Sequence, residues 1–508
     1  MDKPQFHKTS VLFTRAYWLT MILVVVYFIF NYLGSPYVLQ TYVAITAIVT
    51  VGAVIFEYED TLVLIFVHFF IEGQGRVVFG YNPLARIMFD LIIVIFIAKY
   101  IIKNKKIFPE KNFPNLLRFF ILAHFIVFTI SLFNVKGAGV WVNIPMIKVY
   151  ILPFLTFFIM LDSPLDFSSK AFRRLVLTVS VLTIGNGIIS AYQYTQNTPL
   201  ILSISTHYGE ILRFNSFTKF TFRPYGTTYA AGGISTYLPL TLGLFFLAPI
   251  SSVEFLLVIA SSIVMLVLCQ VRTAMIQYVL MFTQFSYIYL RASKLNFKSS
   301  MTMVAAFIAF FFILQGTYSF LSQGVEQRFV DMTLGRFTTI FETKTYEKSR
   351  LGVSDLTRAV IDKVSENPIG LGPGRTHAVT ELMGQTIDND PVYNLDYSWS
   401  YDNLWATIAL EFGVAGIFYA GIIILMPCYL FSMMVNAFRR KKKQHFKVIA
   451  IAFITVFTIV LANWGGVGIP YNPVSFMFWF WCAMGFQGHR LSMETPPGFD
   501  AAKKANVL

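Results

Sequence analysis

Four arginines sit where a guanidinium has work to do. Arg223 stands in Phe-Arg-Pro-Tyr-Gly-Thr-Thr, Arg272 between two apolar runs in Gln-Val-Arg-Thr-Ala, Arg350 ahead of an amphipathic stretch, and Arg375 directly after Gly372-Pro373-Gly374. The guanidinium stays charged, and its planar fork holds phosphate oxygens two at a time. It is costly at membrane depth and is rarely placed there without a partner. Each position also has an ordinary reading. Arg223 can be an interfacial anchor, Arg272 a topology marker, and Arg350 and Arg375 solvated loop charges. A second constellation is Ser400-Tyr401-Asp402-Asn403-Leu404, at the head of an apolar run. Asp402 can cap that helix, or act as a general base; the two roles are compatible. Tyr401 and Asn403 flank it and join it as candidate substrate contacts. Glu411 lies deeper in the same run and needs a partner there.

His377 is the one histidine of the long polar stretch around it, and the other histidines are scattered. No pair has metal-ligand spacing, and no Asp-rich cation site is present, so no metal is expected. There is no P-loop and no nucleotide-binding fingerprint, so no cofactor is expected either. The three cysteines, Cys269, Cys428 and Cys482, lie in or at the edge of apolar runs and read as buried, inert thiols.

The surrounding elements must place these groups at a membrane. Of 508 residues, 56% are hydrophobic and only 13% are charged. A soluble domain of that composition would expose too much apolar surface. Apolar runs long enough to cross about 30 Å of hydrocarbon recur along the whole chain. Inside lipid every backbone polar group must be paired, which leaves helices or a closed barrel. Continuous runs do not fit the alternating pattern of a barrel strand. The expected fold is therefore all-α and polytopic, with about 14 transmembrane helices. They are expected near 15–33, 37–56, 61–72, 84–102, 115–134, 145–161, 173–195, 232–250, 252–270, 272–290, 299–319, 403–435, 447–464 and 470–487. No small-residue cleavage site follows the first run, so it reads as a retained helix.

The net charge of +14 does not point to nucleic acid. The basic residues cluster in short connections: Lys103 to Lys111, Lys170 to Arg174, Arg291 to Lys298 and Arg439 to Lys447. With this helix count and a cytoplasmic N-terminus, all four fall on the cytoplasmic side, and the C-terminus does too. Two long polar stretches then face outward, about 196–231 and 320–402. The second has amphipathic spacing at Leu351, Val353, Leu356, Val360, Ile361 and Val364, and reads as an ordered loop. The organisation expected is 1–195 helical, 196–319 an outer segment with central helices, 320–402 the large outer loop, and 403–508 helices with a cytoplasmic tail.

Four segments in this order resemble the O-antigen polymerase and O-antigen ligase superfamily of bacterial inner membranes. They are Arg223-Pro-Tyr-Gly-Thr-Thr, Arg272-Thr-Ala, Asn367-Pro-Ile-Gly-Leu-Gly-Pro-Gly374, and Asn403 followed after nine residues by Gly413 and then Gly416. The ligases carry histidine where this chain has Asp402, and Asp-Asn is closer to polymerase-type members. The resemblance covers mainly residues 215–435. It implies a GT-C-like, metal-independent glycosyltransferase with a large ordered periplasmic loop. Its donor would be an undecaprenyl-pyrophosphate-linked oligosaccharide. The acceptor would be a second lipid-linked repeat unit in a polymerase, or lipid A–core in a ligase. Membrane lipids and a chain-length-regulating co-polymerase are the further partners implied. In that scheme Asp402 is the base and Arg272 and Arg223 meet the pyrophosphate. Arg350, Arg375 and His377 line the substrate path, with Tyr401 and Asn403 beside the base. The other readings are an exopolysaccharide or teichuronic-type polymerase, and a lipid-linked oligosaccharide flippase. No internal repeat of the kind flippases favour is visible.

Overall fold

The computed structural model describes residues 3–33, 35–79, 83–104, 113–133, 146–162, 169–195, 216–218, 221–222, 224–228, 231–247, 251–269, 271–292, 353–374, 404–440, 443–462 and 474–494. Among these, the chain is mostly helical; the exceptions are one small hairpin, short connections, and two irregular stretches, 224–228 and 367–374. In chain order the helices are α1 (Lys3–Tyr32), α2 (Val38–Ile55), α3 (Tyr58–Phe79), α4 (Pro83–Asn104), α5 (Asn115–Leu132), α6 (Ile147–Tyr150), α7 (Leu152–Asp162) and α8 (Lys170–Thr195). Strands β1 (Ser216–Thr218) and β2 (Thr221–Phe222) pair antiparallel. Then come α9 (Ala231–Leu247), α10 (Ser252–Cys269), α11 (Arg272–Ala292), α12 (Val353–Glu366), α13 (Leu404–Phe412), α14 (Ile417–Arg439), α15 (Lys443–Ala462) and α16 (Val474–Glu494).

Among the described residues, six stretches are long and apolar enough to cross a bilayer: Val11–Tyr32, Val38–Ile55, Asn115–Leu132, Lys170–Thr195, Ser252–Cys269 and Leu404–Arg439. The protein is a multi-pass membrane protein. Its outer helices show bulky apolar side chains, such as Ile22 and Val25 on α1 and Ile126 and Ile130 on α5. In a bilayer these faces meet lipid.

Several expected helices change shape. The run expected at 61–72 is a longer helix, α3, which continues through Glu72 and Arg76 to Phe79. The run expected at 145–161 is two pieces that part at Ile151. Pro153 lies just past the break and has no N–H to donate to the carbonyl four residues back, at Val149. The run expected at 403–435 is interrupted by a 3₁₀ turn, Gly413–Gly416. Helix 299–319 lies outside the described residues. Cys269 and Cys482 are buried as expected, but Cys428 is exposed on the outside of α14.

The helices gather into two compact units. The first holds α1–α4, α8–α10 and most of α11; the second holds α5–α7 and α12–α16. In the first unit, α3 is buried from Leu62 to Ile71 and packs on α2, α4 and α8. A polar layer closes one end of these helices. Lys103 pairs with Glu57 at 2.7 Å, and Lys99 donates to the Phe56 carbonyl. The Arg174 guanidinium lies over the rings of Phe13 and Tyr17 and donates to Thr14 Oγ1 at 2.8 Å. In the second unit, α16 is wedged between α7, α14 and α15, with Trp479 and Trp481 fully buried.

Half-buried Asp60 sits at this polar layer, where burial pushes its carboxyl up to about 6 against the opposing pull of Arg174. An acid whose folded pKa is raised loses stability as pH rises through that value. Asp60→Asn should therefore unfold ~1–3 °C higher than wild type at pH 8, and the gap should close by about pH 4. Thermal unfolding in detergent at the two pH values measures this.

Candidate functional site

In the first unit, the segment after Arg223 is held by side chains of one helix. Pro224 to Thr228 are all buried. Gln193 Oε1 accepts from the N–H groups of Tyr225 and Gly226 at 3.1 and 3.0 Å, and its Nε2 donates back to the Gly226 carbonyl at 3.2 Å. Asn186 Oδ1 accepts the Thr227 N–H at 2.8 Å. The Thr227 hydroxyl lies between that same oxygen and the Phe70 carbonyl, at 2.8 and 2.7 Å. Asn186 and Gln193 are seven residues apart on α8, two helical turns, and so share a face. They supply the partners that an irregular backbone needs in an apolar bundle.

The same segment touches the end of α10. Cys269 Sγ donates to the Pro224 carbonyl at 3.2 Å. Arg272 opens α11 three residues later, after a turn with almost no loop. The residues next to Arg223 and those leading to Arg272 are therefore brought into contact.

In the second unit, the stretch 367–374 enters the break between α13 and α14. In an unbroken helix the Leu410 carbonyl would accept from Val414 N–H, and that of Glu411 from the next residue. Here Leu371 N–H donates to the Leu410 carbonyl at 2.8 Å, and Gly372 N–H to the Glu411 carbonyl at 3.0 Å. Val414 N–H turns away and donates to the Pro368 carbonyl at 3.0 Å. The inserted chain thus replaces the missing helical bonds.

Two glycines permit this approach. Gly370 has φ of 86°, and a Cβ there would lie 2.6 Å from Gly413 N. Gly413 has φ of 59°, and a Cβ there would run into the Pro368 carbonyl. Glycines three apart, as Gly413 and Gly416 are, read from sequence alone as a place where another helix comes close. What Gly413 admits is an extended stretch of the chain's own loop.

Glu411 is fully buried at the centre of this arrangement. Its Oε1 accepts the Gly374 N–H at 3.0 Å, and its Oε2 accepts the Tyr150 hydroxyl at 2.6 Å. Tyr150 is surrounded by the rings of Phe412, Tyr419 and Phe128, and His124 Nε2 lies 3.3 Å from its carbonyl. The requirement for a partner at Glu411 was visible in the sequence; Tyr150, 261 residues away, was not. Asn186 and Gln193 were also missed, although two amides seven apart in an apolar helix are a legible signal.

Of the expected site residues, only Arg272 has its backbone among the described residues. Arg223, Arg350, Arg375, His377, Tyr401, Asp402 and Asn403 lie outside them. The described neighbours carry the information: α13 starts at Leu404, and the inserted stretch ends at Gly374.

Residues 256–421, about a third of the chain, match the family model described as O-antigen ligase. That segment is similar to the O-antigen ligase family. The matched segment spans Arg272, the inserted stretch 367–374 and the helix break, while Arg223 precedes it. No curated protein matches the chain.

Gly413→Ala tests the insertion. A left-handed backbone costs a residue with a side chain roughly 1–2 kcal/mol, and the clash with Pro368 adds to that. The variant should accumulate to a few-fold lower level in membranes and unfold at lower temperature, whereas Ala415→Gly should do neither to that degree. Membrane abundance and thermal unfolding read both.

Proposed function

We propose that this protein is a polysaccharide polymerase acting at the periplasmic face of a bacterial inner membrane, with both termini cytoplasmic. It transfers a growing glycan from undecaprenyl pyrophosphate to a lipid-linked repeat unit. One observation carries the reading most of all. The stretch that matches the O-antigen ligase family contains three of the four motifs in order; the sequence resemblance, in turn, implies Asp402 where ligases hold histidine.

The chemistry balances without a redox partner. The acceptor hydroxyl attacks the anomeric carbon of the donor sugar and forms the new C–O bond. The bond from that carbon to the pyrophosphate oxygen breaks, and the electron pair leaves with the pyrophosphate. Asp402 takes the hydroxyl proton. Arg272 and Arg223 stabilise the charge that grows on the leaving group, which is electrostatic stabilisation by fixed donors and needs no metal ion. Arg350, Arg375 and His377 line the path of sugar or pyrophosphate under the loop, with Tyr401 and Asn403 beside the base. The 320–402 stretch forms the outer loop in this scheme, and a co-polymerase sets chain length.

The match to the O-antigen ligase family favours one alternative: a ligase that delivers glycan to lipid A–core. A different polymer, such as an exopolysaccharide, leaves the mechanism unchanged. A lipid-linked oligosaccharide flippase would move the donor without forming a bond. A strain lacking the protein distinguishes the two main readings: single capped repeats follow from loss of a polymerase, and free polymer without core from loss of a ligase.

Asp402→Asn should lower polymer formation by about 10²–10⁴-fold, as loss of a general base does. Arg272→Ala should lower it by about 10²–10³-fold. Both are read as polymer yield and length at equal membrane abundance. Unchanged polymer in both variants would reject the mechanism.

A further inference from the structure

The Glu411 site calls for explanation because it is more than a helix repair. The backbone bonds of Leu371, Gly372 and Val414 already close the break between α13 and α14. Glu411 adds a carboxylate, deeply buried, whose two oxygens point to different parts of the chain. One oxygen holds the last described residue of the inserted stretch, Gly374, and the other holds Tyr150 at the end of α6. Burying a charged or polar group in an apolar interior is costly unless it is fully hydrogen-bonded. A leucine at position 411 would pack there without that cost. The carboxylate therefore implies a geometric demand on Gly374 beyond stability.

Tyr150 meets that demand from a rigid base. Its ring packs edge-on against Phe412 with centroids 4.9 Å apart, and against Tyr419 at 5.3 Å. His124 approaches its carbonyl, and its ring lies tilted against that of Tyr419 with centroids 4.7 Å apart. The phenol is therefore fixed in direction, and it fixes the carboxylate in turn. Met146 lies beside Gly374, where a Cβ would come within 3.2 Å of its side chain.

We infer that Glu411 and Tyr150 are positioning residues of the transferase: they fix Gly374, and with it the point from which Arg375 and the rest of the outer loop set out. This rests on the proposed glycosyl transfer. It assigns to the pair no contact with substrate.

The test is a double-mutant cycle on purified, reconstituted protein, read as glycan extension per folded molecule. The variants are Arg375→Ala, Glu411→Ala and the pair of them together, with Glu411→Gln and Tyr150→Phe alongside. Glu411→Ala should lower turnover about 10-fold or more, and Arg375→Ala should lower it as well. The double variant should be no slower than the slower single one, because both act through one geometry. Glu411→Gln keeps an acceptor for Gly374 N–H and should recover most of the loss. If Glu411→Ala does not accumulate, Tyr150→Phe serves in the same cycle, since it removes only one hydroxyl. Losses that multiply in the double variant would overturn the inference. So would lower protein levels with unchanged turnover per folded molecule, the result of a purely structural role. The transfer reading fails on a separate result, full activity in Asp402→Asn.

Discussion

The constraint on which this structure rests is that backbone N–H and C=O groups cannot be left unpaired in an apolar interior. Among the described residues, the chain leaves regular helix inside a packed bundle at Pro224–Thr228 and at 367–374, and at both places irregular backbone finds partners. Between α13 and α14 the inserted stretch 367–374 supplies two N–H donors and one carbonyl to a helix that has stopped bonding to itself. The cost of interrupting a membrane helix is offset because the second chain provides the bonds that the first gives up. What remains is a rigid, non-helical backbone held at the head of a long apolar helix.

The two stations solve the same problem by different means. Around Pro224–Thr228 the partners are amide side chains of α8, with Gln193 making three bonds and Asn186 bracing Thr227. Around 367–374 the partners are mostly backbone, with the Glu411 carboxylate completing the set. The side chains at both stations are short, buried and shared between elements distant in sequence. Such networks favour one arrangement when all members are satisfied, because a half-satisfied one is costly in low dielectric. That is the property required of segments that lead directly into Arg223, Arg272 and Arg375. The six membrane-length helices then serve as a frame that presents irregular backbone at fixed places.

Much of this was legible from residues alone. Apolar run length located the helices, since a span is fixed by bilayer thickness and needs no tertiary information. Spacing at Val353, Val360 and Val364 anticipated α12. The errors came where local pattern was overridden. The apolar run expected at 61–72 continues as helix through polar Glu72 and Arg76 to Phe79, because helical hydrogen bonds are made regardless of side-chain polarity. Gly413 and Gly416 resembled a helix-packing pattern, yet the positive φ of Gly413 and the approach of Pro368 come from a segment about 45 residues earlier. No window on the sequence contains both partners. The same holds for Glu411 and Tyr150: a buried carboxylate announces that it has a partner, but only the fold says which.

The most direct measurement is made on the purified protein alone, reconstituted in liposomes with lipid-linked repeat units and no other enzyme. The account predicts ladders of extended, lipid-linked glycan and release of undecaprenyl pyrophosphate, both lost in Asp402→Asn. Repeat units that cross the bilayer but are never joined would contradict it, and would make the protein a carrier and not a transferase.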